Sequence, residues 1–255
     1  SWVSSLGLCA VALRQGKASS FGECEQWLGR QRNSMSISTN RSLLVALFLS
    51  CAVVFVVDAQ DRTRELEGAL KSSPGDVSLL MELGGLYHDK AVAGDADAID
   101  KGFRYLDKLL SIDTTNVVAL AYRGDLWALR AKESWWPPNK WSYFRKGAAE
   151  LDLAVGLAPD NMMIRMLRGM NALAAPSFLG RLSIALEDFI VLLKHPAFAD
   201  QSRELRISIY YYAGVAHKRA DDYDKARELF KKAISILPDS DFAKRSRDEL
   251  KELGS

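Results

Sequence analysis

The chain has 255 residues, 48% of them apolar and 26% charged, the balance of a globular protein with ample length for a buried core. A formal net charge of +2, spread along the chain, gives no basic face or tail, so no nucleic-acid partner is expected. All three cysteines, Cys9, Cys24 and Cys51, lie in the first 51 residues, which excludes a disulfide framework for the rest of the chain.

In chain order, residues 1–34 begin without methionine and show no sustained periodicity, and read as upstream sequence or a disordered lead. Residues 35–59, "MSISTNRSLLVALFLSCAVVFVVDA", read as a secretory signal. Met35 and Arg41 precede an apolar run from Leu43 to Val57, and Val57 and Ala59 suit a cleavage site. The run is shorter than a membrane-spanning helix ordinarily needs, although uncleaved it could serve as an anchor. "LFLSC" around Cys51 loosely resembles a lipobox, but largely apolar residues come after it where a polar tether belongs. The domain is then residues 60–255, cysteine-free and electrically neutral. Five of the 34 basic and three of the 32 acidic residues precede Gln60, leaving 29 of each.

Self-comparison of this domain exposes a repeat. Glycines recur at Gly84, Gly124, Gly169 and Gly214, and apolar positions at Ala69, Leu109, Ala154, Leu192 and Ala233. Closing residues recur at Pro74, Thr114, Pro159, Pro196 and Pro238, four of them helix stops. The spacing predicts a lone helix over about 61–72, four helical pairs, and a charged final helix from Asp241 to Leu253 that caps the array. Small residues such as Gly214 and Ala226 are expected to face each other where two helices cross closely.

In "YYYAGVAHKRADDYDKARELFKKAISILPDS", residues 210–240, Tyr210, Gly214, Ala226, Phe230, Ala233 and Pro238 fall where a tetratricopeptide repeat (TPR) has its large, small and closing residues. The segment closely resembles that family. The resemblance implies an all-α fold, a right-handed α-solenoid of about four antiparallel helix pairs with flanking N- and C-terminal helices. A second resemblance, over about 116–193, is to uncharacterised exported bacterial TPR proteins. It rests on Arg165, Arg168, Pro176, Phe178, Arg181, Ala185, Asp188 and Phe189, implies a bacterial origin and carries no known activity.

The units exceed the basic repeat, and the excess can be placed. About six extra residues fall in "AVAGDADAID", and about eleven between Trp127 and Gly147, the stretch that includes "SWWPPNKWSYF". Pro137 and Pro138 are expected to break the chain between the two helices of the second pair. Trp135, Trp136, Trp141 and Phe144 would fold back as a structural lid, or expose a tryptophan as a docking anchor. In the third pair Arg165 and Arg168 take positions that normally hold apolar residues. Buried charge must be paired, so they should bridge to Asp188, Asp152 or Asp125, or else await a carboxylate as an anion site.

In TPR proteins the first helices line a concave groove for peptides. Carried over, that puts Met81, Glu82, Tyr122, Asp125, Met166, Met170, Tyr211, Tyr212 and Lys218 on the groove. Tyrosines offer amphipathic contacts and methionines an adaptable floor. The Lys, Asn and Arg set of the carboxylate clamp used by chaperone-binding TPRs is missing, with Asp125 and Met166 nearby instead. No glycine-rich phosphate loop, HExxH, nucleophile elbow or Cys–His pair occurs, and His88, His195 and His217 fall in different repeats. The expected function is a non-enzymatic, exported, periplasmic or extracellular scaffold binding a protein or peptide, with no metal and no cofactor. The alternative is a small-ligand-binding accessory of a periplasmic transport system, which would enclose a pocket beside Arg168 and Trp136.

Overall fold

The computed structural model describes residues 62–254. The lead 1–34, the signal 35–59 with its apolar run, and Cys51 lie outside the described residues. Contacts divide the chain into Ser1–Gly68 and a compact unit Ala69–Ser255, and the division falls within a helix over 62–72, here α1. The second unit continues with α2 (Val77–Val92), α3 (Ala96–Ile112), α4 (Val117–Glu133), α5 (Pro137–Leu157), α6 (Met162–Ala174), α7 (Leu182–Lys194), α8 (Arg203–Arg219), α9 (Tyr223–Ile236) and α10 (Asp241–Glu252). Short 3-10 turns at Ser177–Leu179 and Pro196–Phe198 precede α7 and α8. No strand occurs among the described residues.

The helices pack as α2/α3, α4/α5, α6/α7 and α8/α9, and α10 lies against α9 and α8. Each closing residue stands two positions beyond a helix end. α1, α3, α5, α7 and α9 stop at 72, 112, 157, 194 and 236, before Pro74, Thr114, Pro159, Pro196 and Pro238. Polar caps then start the next helix. Asp76, Asn116, Asn161, Ser202 and Ser240 each accept a hydrogen bond from a backbone N–H in the first turn.

The recurring glycines mark the crossing point of each pair. A Cβ on Gly84 would lie 2.5 Å from Leu106, on Gly169 3.1 Å from Phe189, and on Gly214 2.6 Å from Phe230. Between α4 and α5 both helices contribute a glycine, since a Cβ on Gly147 would meet the Gly124 carbonyl oxygen at 2.5 Å. The residue facing Gly214 is therefore Phe230, one turn beyond the expected Ala226. Leu109, Ala154, Leu192 and Ala233 are fully buried as the repeat requires, whereas Ala69 is exposed and Leu70 is buried in its place.

The insertions are helical, not looped. α2 and α3 absorb the first excess and are joined by only Ala93–Asp95. In α5, which runs for 21 residues, Pro137 and Pro138 occupy the first turn, where a missing N–H costs nothing. The expected break is confined to Ser134–Trp136, and Trp141, Tyr143 and Phe144 are helical. No described helix is long and apolar enough to cross a membrane.

Candidate functional site

The alternate helices α2, α4, α6, α8 and α10 are neighbours along the array, and the predicted groove residues fall on their seams. Between α2 and α4 the buried His88 ring stacks on Tyr122 with centroids 4.5 Å apart. Its Nε2 lies 2.9 Å from Asp125 and its Nδ1 3.2 Å from Asp89. Burial pulls the imidazole pKa down, but hydrogen bonds and charge from Asp125 and Asp89 outweigh it and hold the pKa above the ordinary value. Burial, helped by Asp89, raises the Tyr122 phenol.

Two of the predicted groove features pack against neighbouring helices. Met166 is only 9% exposed and belongs to the core between α6, α7 and α8, with Met170 half-buried against the same cluster. Met170 thus offers more accessible surface than Met166 does. Tyr211 and Tyr212 are covered by Phe242 of α10, with ring centroids at 5.4 and 5.7 Å, and Tyr212 also stacks on Phe189 at 6.2 Å. Both phenols are raised chiefly by burial. Lys218 holds the cap in place through Glu249 at 2.6 Å and Glu252 at 2.5 Å. At this end of the array the C-terminal helix packs against that face and leaves both rings half-buried.

Arg165 and Arg168 form a closed knot with the fully buried Asp188. Arg165 Nη1 donates to Asp188 Oδ1 at 2.7 Å, and Arg168 donates to both carboxylate oxygens at 2.7 Å. The Arg165 Nε donates to the Pro159 carbonyl, and Glu187 touches both guanidinium groups at 3.3–3.5 Å. Asp152 stands 3.9 Å from Arg168 and receives a bidentate pair from Arg181 at 2.8 and 3.0 Å. Asp125 takes no part, being bound to His88. Burial lowers the Arg168 pKa, and Asp188 reverses that, so the guanidinium stays charged. Supplied with carboxylates from its own chain, the pair functions as an inter-helix tie. The buried side chain of Asn171, also on α6, finds no hydrogen-bond partner among the described residues.

The aromatic insertion splits in two. Tyr143 folds back onto Trp127 at 5.4 Å, Phe103 meets Trp127 at 4.4 Å, and Lys146 lies 4.6 Å above the indole, a packed layer between α3, α4 and α5. Trp135 is 86% exposed, Trp136 48% and Trp141 39%. Trp141 stacks on Phe144 at 6.4 Å and on Phe178 of the α6–α7 connection at 6.0 Å. Folding back thus accounts for Tyr143 but leaves the three tryptophans at the surface.

Residues 207–240 match the tetratricopeptide-repeat family model, over the α8/α9 pair whose crossing glycine is Gly214. Among solved structures the chain is similar to TTC0263, a thermophilic TPR protein of Thermus thermophilus, with a TM-score of 0.59 over 79% of this chain and 95% of that one. The chain carries a tetratricopeptide repeat at 207–240 and has the fold of TPR solenoids. The helices of its Ala69–Ser255 unit form the right-handed α-solenoid that the repeat implies. Identity to TTC0263 is 15%, so the likeness concerns the fold. MamA is similar at a TM-score of 0.50, with 21% identity over 71% of this chain and 90% of its own. A MamA RS-1 ArsTM double mutant gives 0.51, with 17% identity over 80% and 100%. Comparison with curated proteins finds no match.

Within this TPR array two features escaped the sequence reading. Phe242 was one aromatic in a charged helix, and its role followed only from the helix phase that aims it at Tyr211 and Tyr212. His88 stood out in the sequence only as one of three histidines in different repeats, and the carboxylates at its two nitrogens come from different helices. A cleft of about 380 Å³ is lined by Ala172, Ala175, Pro176, Ser177, Leu182 and Arg219, and neither Arg168 nor Trp136 borders it.

Proposed function

We propose that this protein is a non-enzymatic scaffold that binds a protein or peptide along its first-helix face, and that it works in the cell envelope. One observation carries the reading: Met81, Tyr122, Asp125 and Met170 lie partly exposed on successive first helices, with exposed Glu82 beside them. Amphipathic rings, thioethers and carboxylates on neighbouring helices suit an extended chain with mixed side chains. The repeat fold supports the same reading, because stacked helix pairs make long continuous surfaces. Export is supported by the apolar run Leu43–Val57 and the small residues Val57 and Ala59 that close it.

Capture from a native envelope extract tests this. The full chain and a Tyr122→Ala/Met170→Ala variant, matched for helicity, serve as baits. The proposal expects a protein retained by the first and lost by the second. Identical recovery by both baits would refute the groove assignment.

A further inference from the structure

We propose that the turns joining the two helices of the second and third repeats form a docking edge for an anionic membrane surface. This inference stands apart from the groove, since it uses different residues at a different place. The four intra-pair turns differ sharply. Those of the first and fourth repeats, Ala93–Asp95 and Ala220–Asp222, are short and end in acidic residues. Those of the second and third carry Trp135, Trp136 and, on the 3-10 turn Ser177–Leu179, Phe178, which is 78% exposed. Trp141, on α5 a few residues after Trp135 and Trp136, stacks on Phe178 at 6.0 Å, which ties the start of α5 to the third repeat's turn.

Trp135 and Phe178 contribute little to the core. Trp135 at 86% exposure covers little beyond Trp136, its ring neighbour at 5.6 Å. Large apolar groups grouped at a surface mark a contact site. The charge around them selects the partner. From Lys132 to Ala149 the sequence has four basic residues, Lys132, Lys140, Arg145 and Lys146, and one acidic residue, Glu133. Lys140 and Arg145 are exposed and form no ion pair with any described residue. Indole rings at turn tips with a basic fringe match the headgroup region of an anionic bilayer, where Trp settles and Lys and Arg meet lipid phosphates. A peptide partner fits less well, because the aromatics sit on connecting turns and not along a groove.

The test uses the full chain and vesicles of phosphatidylcholine, alone or mixed with phosphatidylglycerol. Binding is read by vesicle co-sedimentation, and insertion by tryptophan quenching with brominated acyl chains in a Trp2→Phe/Trp27→Phe background, so that the quenched signal comes from Trp127 and the edge. The apolar run Leu43–Val57 would bind either vesicle alike, which makes the phosphatidylglycerol-dependent part the diagnostic one. That part should be quenched, should weaken with salt, and should fall at least about tenfold in Trp135→Ser/Trp136→Ser/Phe178→Ser. Lys140→Glu/Arg145→Glu, which keeps every aromatic, should lower it about 25-fold or more at low salt, at roughly fivefold per basic residue. Equal binding to both vesicles, or variants that bind like the parent, would overturn the proposal. So would loss of a protein partner, and not of vesicle binding, on removal of the aromatics.

Discussion

Truncating Asp188 to alanine removes one fully buried carboxylate and strands two guanidinium groups whose side chains are only 10% and 11% exposed. Three hydrogen bonds of 2.7 Å go at once. Breaking a buried ion pair ordinarily costs about 3–5 kcal/mol, because the surviving charge is left without its partner. Here Glu187 remains at 3.3–3.5 Å and the Pro159 carbonyl still receives Arg165, so partial compensation puts the loss near the low end. We expect about 3 kcal/mol, or a fall of roughly 6–12 °C in Tm for a unit of this size. Urea and thermal unfolding followed by circular dichroism give the value, and hydrogen exchange should quicken most in α6 and α7. Arg165→Met/Arg168→Met/Asp188→Leu, which removes the charges together, should recover most of the loss. A loss below about 1 kcal/mol for Asp188→Ala would refute the view that this knot ties the third repeat together. So would a triple variant as unstable as the single one, since the cost would then lie in shape.

Two further predictions concern the crossings and the buried imidazole. Gly214→Ala places a methyl 2.6 Å from the fully buried Phe230 ring and should cost about 1–3 kcal/mol, while Gly156→Ala, with nothing within 4 Å, should be neutral or gain up to about 1 kcal/mol. Similar losses in both by urea titration would contradict the crossing assignment. His88 has a folded pKa above its unfolded 6.5, so its contribution is full below about pH 6.5 and is lost as pH rises through the folded value. The Tm difference between the parent and His88→Gln should therefore be largest near pH 5.5–6 and shrink in alkaline buffer, and a difference that grows with pH would show the imidazole to be held neutral.

Pattern made the scaffold readable, and phase hid the details. Pro74, Thr114, Pro159, Pro196 and Pro238 each lie two residues past a helix end, because a residue that terminates a helix leaves a local mark. Gly214 was recognisable as a crossing point, yet its true neighbour Phe230 depends on how far along α9 the helices meet, which spacing alone does not fix. Pro137 and Pro138 marked the break between α4 and α5 but not its length: proline stops a preceding helix and begins a following one equally well, and here they begin α5. For the site, the cost of buried charge named Asp188, Asp152 and Asp125 as candidate partners of Arg165 and Arg168, and the packing of α6 on α7 selects Asp188. Exposure was the least legible property. Met166 and Trp141 both sit on helices near the proposed surfaces, but one is core and the other surface, and only the packing of neighbouring helices decides between them.

The central claim is that partner chains lie along the first-helix face. The most direct measurement is photo-cross-linking from single positions of the full chain in native envelope, with probes at Glu82, Met81 and Met170, and a control at Ile112, which is 49% exposed on α3. The account predicts one common adduct from the three first-helix positions and none from Ile112. A common adduct from Ile112, with the first-helix positions silent, would contradict it.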